Sequence, residues 1–338
     1  MNTKKAVLLV NLGTPDSPNT KEVRTYLREF LMDRRVIDIP WFRRFFLINA
    51  IIAPFRAPES AKIYKELWEK RGSPLKFYGE DATKALQERL GTSYEVFFAM
   101  RYKNPNVKVV LKEIQKKAFS EVIVIPMYPQ YASSSTGSTI EYVMDNIKSW
   151  EVLPKITFLS QFCNDPKYID AFVEQAKPFL KTSYDHYVFS YHGLPERQIH
   201  KASFDGNCQT NGKCCSAYHA KNQHCYRAQC FETTRNLAKS LNLTEDQYTV
   251  CFQSRLGKTP WIKPYTDDVI VELTKKNVKK ILAFSPAFVA DCLETTIEVG
   301  QEYKEIFIEN GGVQWDLVPS LNASQKWVDC LENLVKNH

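Results

Sequence analysis

The sequence predicts an α/β protein of two similar, doubly wound (Rossmann-like) lobes, each a parallel sheet flanked by helices. Short β-branched runs alternate with helical periodicity along all 338 residues, and such βαβα alternation is typical of parallel sheets covered on both faces. At least seven of these runs occur, which suits two doubly wound sheets better than one. An internal echo supports the division, because Val122–Pro126 and Leu282–Pro286 each lead through a polar loop into a Thr-Ile-Glu sequence.

The individual elements follow from local pattern. Strands are predicted where a short run rich in β-branched and aromatic residues is bounded by polar or turn residues, and these runs are 6–11, 94–99, 121–126, 156–159, 186–190, 248–252 and 280–284. Helices are predicted where apolar residues recur about every 3.6 residues. These stretches are 20–32, 58–69, 80–90, 107–117, 138–148, 166–180, 227–241, 266–276, 292–308 and 322–336.

The boundary between the lobes is predicted near Val152-Leu153-Pro154, where the alternation is interrupted. Residues 1–154 then form the N-terminal lobe and residues 155–338 the C-terminal lobe, with the C-terminal helix free to pack back on the first lobe. The second lobe carries a cysteine-rich insert at 205–230.

Composition limits the class of protein. The chain is 44% apolar and 25% charged, which is typical of a soluble globular protein. It has no apolar run of about 18 residues, so no spanning helix is expected, and it passes at once into a strand, so we expect no signal peptide and a cytoplasmic location. The net charge of +7 is spread along the chain. This pattern disfavours nucleic-acid binding and favours an anionic lipid surface or a carboxylate-bearing substrate.

Residues 36–56 form an unusually apolar segment, with Trp41 and several phenylalanines beside Arg43 and Arg44. One interpretation is a buried helix. The other is an exposed apolar lip, which grips a large flat ligand or makes a peripheral contact with a membrane at its inner face, because aromatic residues interleaved with arginines are typical of interfacial helices.

Titratable side chains follow two predicted strands. His192 stands at the carboxyl end of the strand at 186–190, where open α/β sheets place their ligand chemistry. Glu294 and Glu298 follow the strand at 280–284 and, four residues apart, share one helix face. An imidazole with carboxylates suits proton transfer and binding of a divalent metal. The alternative is a hydrogen-bonded loop histidine and a solvated helix face.

Other strand ends carry polar and aromatic residues rather than phosphate-binding loops. The first strand turns through Asn11-Leu12-Gly13-Thr14-Pro15, without G-x-G-x-x-G, and no P-loop occurs. A nucleotide cofactor is therefore not expected. Arg101 is placed to reach a substrate carboxylate.

Five cysteines lie within 23 positions, and thiols in a cytosolic protein are not expected to form disulfides. Four thiolates suit Zn²⁺ or a [2Fe–2S] cluster. The spacing does not repeat C-x₂-C, which disfavours a zinc ribbon. One cysteine is in excess, and we expect it to be one of the adjacent pair. The five are Cys208, Cys214, Cys215, Cys225 and Cys230.

Seven motifs, in order along the chain, resemble the ferrochelatase family. The resemblance spans residues 11 to about 302 and is specific because the order is kept. The motifs are Asn11-Leu12-Gly13-Thr14-Pro15, Arg71-Gly72-Ser73-Pro74-Leu75, Met100-Arg101-Tyr102, Tyr128-Pro129-Gln130-Tyr131 with its serine run, Tyr191-His192-Gly193-Leu194-Pro195, Gln253-Ser254-Arg255 through Pro260-Trp261, and Asp291-Cys292-Leu293-Glu294-Thr295.

The resemblance implies a chelatase-type fold and insertion of Fe²⁺ into protoporphyrin IX, the last step of haem biosynthesis, in a cleft between the lobes. It implies that His192 is either a ligand of the substrate iron or the imidazole that accepts the protons. Glu294 and Glu298 are implied to be its carboxylate partner and proton relay, with Glu294 also contacting the iron. The porphyrin contacts it implies are Arg101, Tyr102, Tyr128, Ser133 and Trp261. The insert resembles that of family members with an internal [2Fe–2S] cluster, with Zn²⁺ as the alternative.

Two rival functions remain open. A cobalt or nickel tetrapyrrole chelatase would share the fold and the His/Glu chemistry, but the apolar segment 36–56 favours a greasy porphyrin. A non-catalytic haem or iron–sulfur sensor would be expected to lack His192 or Glu294, and both are present. The sequence is compatible with a monomer or a homodimer.

Overall fold

The computed structural model describes residues 4–204, 206–209, 211–255, 257 and 259–337. Within them lie two four-stranded sheets, both entirely parallel and flanked by helices, so the predicted fold class is confirmed. The strands are β1 (Lys5–Gly13), β2 (Tyr94–Tyr102), β3 (Glu121–Pro126), β4 (Lys155–Phe158), β5 (His186–His192), β6 (Tyr248–Gln253), β7 (Lys280–Phe284) and β8 (Gln314–Leu317).

The two sheets share one topology. Their strand orders are β2-β1-β3-β4 and β6-β5-β7-β8. In each sheet, the strand that comes first in the sequence occupies the second position, and the strand that comes last lies at an edge. The edge strand β8 was not predicted. It has only four residues, two of them polar or charged, and it is a strand because its backbone pairs with β7.

The helices are close to those predicted, with two additions. The α-helices are α1 (Thr20–Leu31), α2 (Trp41–Phe46), α3 (Ala53–Leu67), α4 (Pro74–Leu90), α5 (Val107–Lys116), α6 (Ser138–Ile147), α7 (Pro166–Ala176), α8 (Glu196–Lys201), α9 (Tyr226–Ser240), α10 (Thr266–Lys275), α11 (Tyr303–Glu309) and α12 (Gln325–Lys336). Helices α2 and α8 have six residues each, too few to show a helical period. Among the residues that the structure describes, three segments are π-helical: Leu47–Ile52, Ser133–Gly137 and Leu293–Glu302.

The chain divides into two compact units with one sheet each. The first holds the residues up to Tyr128, Ala132–Gln161 and the stretch from Asn322 on, and the second holds Pro129–Tyr131 and Phe162–Leu321. Helix α12 thus belongs to the first unit, where Asp329 pairs with Arg89 of α4 at 2.6 Å.

Parallel pairing brings the carboxyl ends of the strands to one edge of each sheet. In the first unit, β1 and β2 come so close at this edge that a Cβ on Gly13 would lie 2.1 Å from the carbonyl oxygen of Tyr102. Gly13 also has φ +126°, a conformation that favours glycine. The carboxyl ends of β1 and β2 are therefore held together by close backbone packing.

Candidate active site

His192 is the last residue of β5 and is paired in register with Gln253, the last residue of β6. The turn after it is tight, because the amide of Gly193 donates to the Gln253 carbonyl at 2.9 Å. A Cβ on Gly193 would lie 2.8 Å from that oxygen and 3.3 Å from the indole of Trp261. Only glycine fits at this position. The second distance also shows that Trp261 packs beside the histidine turn.

The two glutamates lie on the π-helical segment Leu293–Glu302, which follows β7 in the same unit. Thr295 caps the start of this segment, because its hydroxyl accepts a hydrogen bond from the Cys292 amide at 2.9 Å. The side-chain amide of Gln253 donates to the backbone carbonyl of Glu294 and to Oε2 of Glu298, each at 3.0 Å. The strand partner of His192 therefore contacts both glutamate positions.

Glu298 is held by further donors. Ser254 Oγ donates to its Oε2 at 2.5 Å, and Tyr303 Oη donates to its Oε1 at 3.1 Å. Burial, and then the charge of Glu298, raise the pKa of Tyr303, so its hydroxyl remains a donor. Glu298 is thus a fixed carboxylate with both oxygens occupied.

Gln253 and Ser254 join the candidate site through these contacts, although the sequence analysis assigns no role to either. The signal was present, because both stand at the carboxyl end of β6, beside the strand that ends in His192.

His192 and Glu294 have aromatic and thiol neighbours. Both are half-buried, and the ring of His192 meets the Phe288 ring edge-on at 6.5 Å between centroids. The Cys292 thiol is buried beside Glu294, and burial followed by that charge raises its pKa well above the usual range. Cys292 is therefore a neutral thiol that caps the helix. Among the described residues, no three His, Cys, Asp or Glu side chains form a group able to hold a metal ion.

Arg101 and Tyr102, at the end of β2 in the first unit, are bound to Asp33. Asp33 Oδ2 accepts from Arg101 Nη2 at 2.6 Å and from Tyr102 Oη at 2.9 Å. It also accepts from Ser138 Oγ at 2.5 Å, while the Arg35 amide donates to its Oδ1 at 2.7 Å. Sequence reasoning did not identify Asp33, since nothing local marks it.

The Arg101–Asp33 pair is buried. Their side chains are 13% and 6% exposed, and the guanidinium carbon of Arg101 lies 4.5 Å and 4.2 Å from the ring centroids of Tyr102 and Tyr142. Burial alone would raise the pKa of Asp33, but hydrogen bonds from Ser138 and Arg35 and the charge of Arg101 outweigh it and lower the pKa. Arg101 therefore has its charge balanced within the protein.

Ser133 and Tyr128 lie near this network in the same unit. Ser133 begins a π-helical segment, and its Oγ accepts from Arg35 Nη1 at 2.8 Å. Arg35 also pairs with Glu141 at 2.6 Å. The Tyr128 hydroxyl is buried next to Thr139, and burial raises its pKa. The Tyr128 hydroxyl is therefore protonated at neutral pH.

Four of the five insert cysteines line one pocket in the second unit, together with Arg227. Burial, and then the neighbouring thiols, raise the pKa of Cys208 to about 11 and that of Cys215 to about 12. The adjacent pair both face this pocket, although one of the two was expected to be in excess. The four are Cys208, Cys214, Cys215 and Cys225.

Cys230 does not line that pocket. It is fully buried in α9, where it hydrogen-bonds with Tyr226. Among the five cysteines it is the one that the tertiary structure sets apart.

The segment 36–56 exposes its aromatic side chains rather than burying them. Trp41, Phe46 and Phe55 are 63%, 65% and 75% exposed. Arg44, in contrast, is buried and donates to the carbonyls of residues 37 and 39 at 3.0 Å each. Of the two arginines placed beside the aromatics, only Arg43 is exposed. In the described part of the chain, no helix is long and apolar enough to cross a bilayer.

Solved chelatase structures share this fold. SirB from Bacillus subtilis with Fe³⁺ has a TM-score of 0.56 at 11% identity, over 99% of this chain and 95% of that chain. The sirohydrochlorin chelatase SirB from Bacillus subtilis subspecies spizizenii, in complex with cobalt, has a TM-score of 0.51 at 9% identity, over 99% and 94%. At these identities the likeness concerns the fold alone, and it defines the class as α/β proteins with a chelatase fold.

The family follows from sequence. The profile of the ferrochelatase family matches residues 4–338. Ferrochelatase of Legionella pneumophila strain Lens is 43% identical over 332 residues, covering 98% of each chain. Ferrochelatase of Coxiella burnetii strain Dugway 5J108-111 is 41% identical over 336 residues, covering 99% of this chain and 94% of its own. The chain belongs to the ferrochelatase family, and the resemblance drawn from its motifs is confirmed.

Proposed function

We propose that His192, Glu294 and Glu298 carry the reaction of this chain, which is the insertion of ferrous iron into protoporphyrin IX to form haem. Two pyrrole protons must leave as the metal enters, so the site needs a base and a route for protons. His192 and Glu294 contact the iron and accept the protons, since imidazole and carboxylate are ligands from which a substrate metal can be released. Glu298, whose two carboxylate oxygens both accept hydrogen bonds, supplies a second carboxylate in a fixed position.

The observation that carries this proposal is the position of Gln253. It pairs in register with His192 and donates to Glu294 and to Glu298. Because Gln253 contacts both the strand that ends in His192 and the helical segment that carries the two glutamates, it supports a joint role for the three residues. Such second contacts orient reactive groups in functional sites.

The porphyrin is held, in this proposal, by the aromatic and polar residues at the strand ends. Trp261 supplies a flat apolar surface beside the histidine turn. Because Arg101 is already paired with Asp33, it contributes an oriented N–H donor rather than an unbalanced charge. Tyr128 and Ser133 are the remaining proposed contacts. Tyr102 is fully buried, so its proposed part is to hold Asp33 in place beside Arg101.

The decisive experiment is anaerobic incubation of the purified chain with protoporphyrin IX, with visible spectra recorded before and after Fe²⁺ is added. Conversion to the haem spectrum with turnover supports the proposal. Turnover with Co²⁺ or Ni²⁺ but not with Fe²⁺ favours the rival chelatase. Porphyrin binding without turnover on any of the three metals favours the sensor.

The cysteine pocket is proposed to hold a [2Fe–2S] cluster, with Zn²⁺ as the alternative. The donor set fits, because four thiols face one pocket and four thiolates are the ligands that such a cluster takes. The residues that would hold it are Cys208, Cys214, Cys215 and Cys225, and the bound group would staple the insert. Since no ligating group is preformed among the described residues, binding would draw the thiols together, as metal binding often orders its own site.

We expect Cys215→Ser to lose the metal centre and Cys230→Ser to keep it. The first thiol faces the pocket and the second is buried in α9. Metal analysis and the visible spectrum of anaerobically purified protein measure this directly. Iron with sulfide indicates the cluster, and one zinc ion without colour indicates the alternative. Equal metal content in both variants would contradict the assignment of ligands.

The exposed aromatic segment is proposed to rest on an anionic membrane surface, with the chain in the cytoplasm. The exposed Arg43 beside Trp41, Phe46 and Phe55 supports this, since interfacial segments combine apolar burial with attraction to anionic lipid. None of the nine cysteines forms a disulfide, which suits a reducing compartment.

The combined variant Trp41→Gln, Phe46→Gln and Phe55→Gln is expected to bind anionic vesicles at least about tenfold more weakly. The reason is that it removes most of the apolar surface that the membrane would cover. Flotation with phosphatidylcholine–phosphatidylglycerol vesicles measures the change. Val109→Gln, at another exposed apolar residue, should bind as the parent does. Unchanged flotation with a raised KM for porphyrin would instead assign the segment to gripping the substrate.

A further inference from the structure

The peptide group between His192 and Gly193 is held at both of its polar atoms. Its N–H donates to the Gln253 carbonyl at 2.9 Å, and its C=O accepts from the hydroxyl of Tyr226 at 2.8 Å. Buried backbone groups need such partners. The first contact comes from the neighbouring strand, as a parallel sheet provides. The second comes from a side chain on a different element, α9.

Tyr226 is the first residue of α9 and directly follows Cys225, which lines the cysteine pocket. The side chain of Tyr226 is buried, with 6% exposure. The Cys225 carbonyl accepts from the Gln229 amide at 3.0 Å, which ties it to the first turn of α9. One peptide bond therefore separates a pocket thiol from the residue that holds the His192 carbonyl. We therefore expect displacement of Cys225 to move Tyr226.

We propose that Tyr226 is a positioning residue for His192, through which the order of the cysteine insert controls the orientation of the imidazole. The inference rests on the proposed function, in which His192 takes part in metal insertion. Tyr226 acts on the imidazole through the backbone of His192. The insert would thus regulate the site by its fold, with no electron transfer to the reacting atoms.

The test compares Tyr226→Phe with Tyr218→Phe. Tyr218 lies in the same insert, and its hydroxyl donates to the Gln223 carbonyl at 3.0 Å. We expect kcat of Tyr226→Phe to fall about tenfold, with KM for porphyrin changed by less than about twofold, because a part-buried carbonyl loses its donor near the reacting ring. Tyr218→Phe should keep the parent kcat. Equal kcat values in the two variants would overturn the proposal.

A second measurement needs neither iron nor porphyrin. The ¹⁵N imidazole signals of His192 are assigned by their disappearance in His192→Ala. They should shift in Tyr226→Phe and stay in place in Tyr218→Phe. Because no turnover is involved, this result stands even if the chain inserts another metal. An unshifted signal in Tyr226→Phe would refute the positioning role directly.

Transmission from the insert is tested by Cys225→Ser in two backgrounds. In the parent, this change should shift the His192 signal. In Tyr226→Phe, where the link is already cut, it should add no further shift. Non-additivity of this kind is the signature of residues that act through one contact. Equal shifts in both backgrounds would show that the insert reaches His192 by another route.

Discussion

His192→Ala is expected to lower the rate of iron insertion by about 10²–10⁴-fold, the range that a positioned general base contributes, while porphyrin still binds. The imidazole is the only part removed, and Trp261, which packs on Gly193, stays in place. Glu294→Gln should have a similar effect on rate, since it removes the carboxylate and keeps its shape. Anaerobic assays stopped at fixed times give the rate of iron insertion, and quenching of porphyrin fluorescence gives the affinity for porphyrin.

Matched controls exist for both substitutions. His200→Ala removes an exposed imidazole from α8, and Glu305→Gln removes an exposed carboxylate from α11. Both should retain the parent rate. Unchanged turnover in His192→Ala and in Glu294→Gln alike would sink the site assignment, whatever the family of the chain.

Asp33→Asn is expected to destabilise the protein by about 3 kcal/mol, the lower part of the range for breaking a buried ion pair. The substitution keeps the shape of the side chain but leaves the Arg101 guanidinium, which is 13% exposed, without its counter-charge. It also weakens the acceptor used by Tyr102 and Ser138. Urea unfolding measures the loss, and a raised KM for porphyrin should accompany it.

The surface pair Arg71–Asp81 provides the control in the same unit. Its side chains are 54% and 36% exposed, and exposed pairs contribute about 0–1 kcal/mol. Asp81→Asn should therefore change stability by less than about 0.5 kcal/mol. An equally small change in Asp33→Asn would mean that the buried network is dispensable.

The same network has a pH dependence of known sign. The pKa of Asp33 is lowered on folding, so its contribution to stability is present above the ordinary aspartate pKa of about 3.9 and is lost as the pH falls through the lowered value. Asp33→Asn lacks this contribution, and its unfolding free energy should depend less on pH in the acid range.

The sequence alone determined the class of fold, and it placed the candidate residues His192, Glu294 and Glu298 after the ends of strands. Continuous apolar runs such as Ala6–Val10 are what a strand buried on both faces requires, and His192 could be placed because it directly follows such a run. The motifs were sufficient to identify the family. These properties are local, so a single chain displays them.

Contacts between residues far apart in the chain were decided only by the tertiary structure. Asp33 meets Arg101 across 68 positions, and Gln253 meets Glu298 across 45. Neither pair has a periodicity that would reveal it. Likewise, the sequence contains five candidate ligand cysteines. In the folded protein, Cys230 on α9 is fully buried, while the other four line one pocket. Local pattern reflects which face of an element is buried, but the choice of partner across that face depends on packing that no short stretch of sequence encodes.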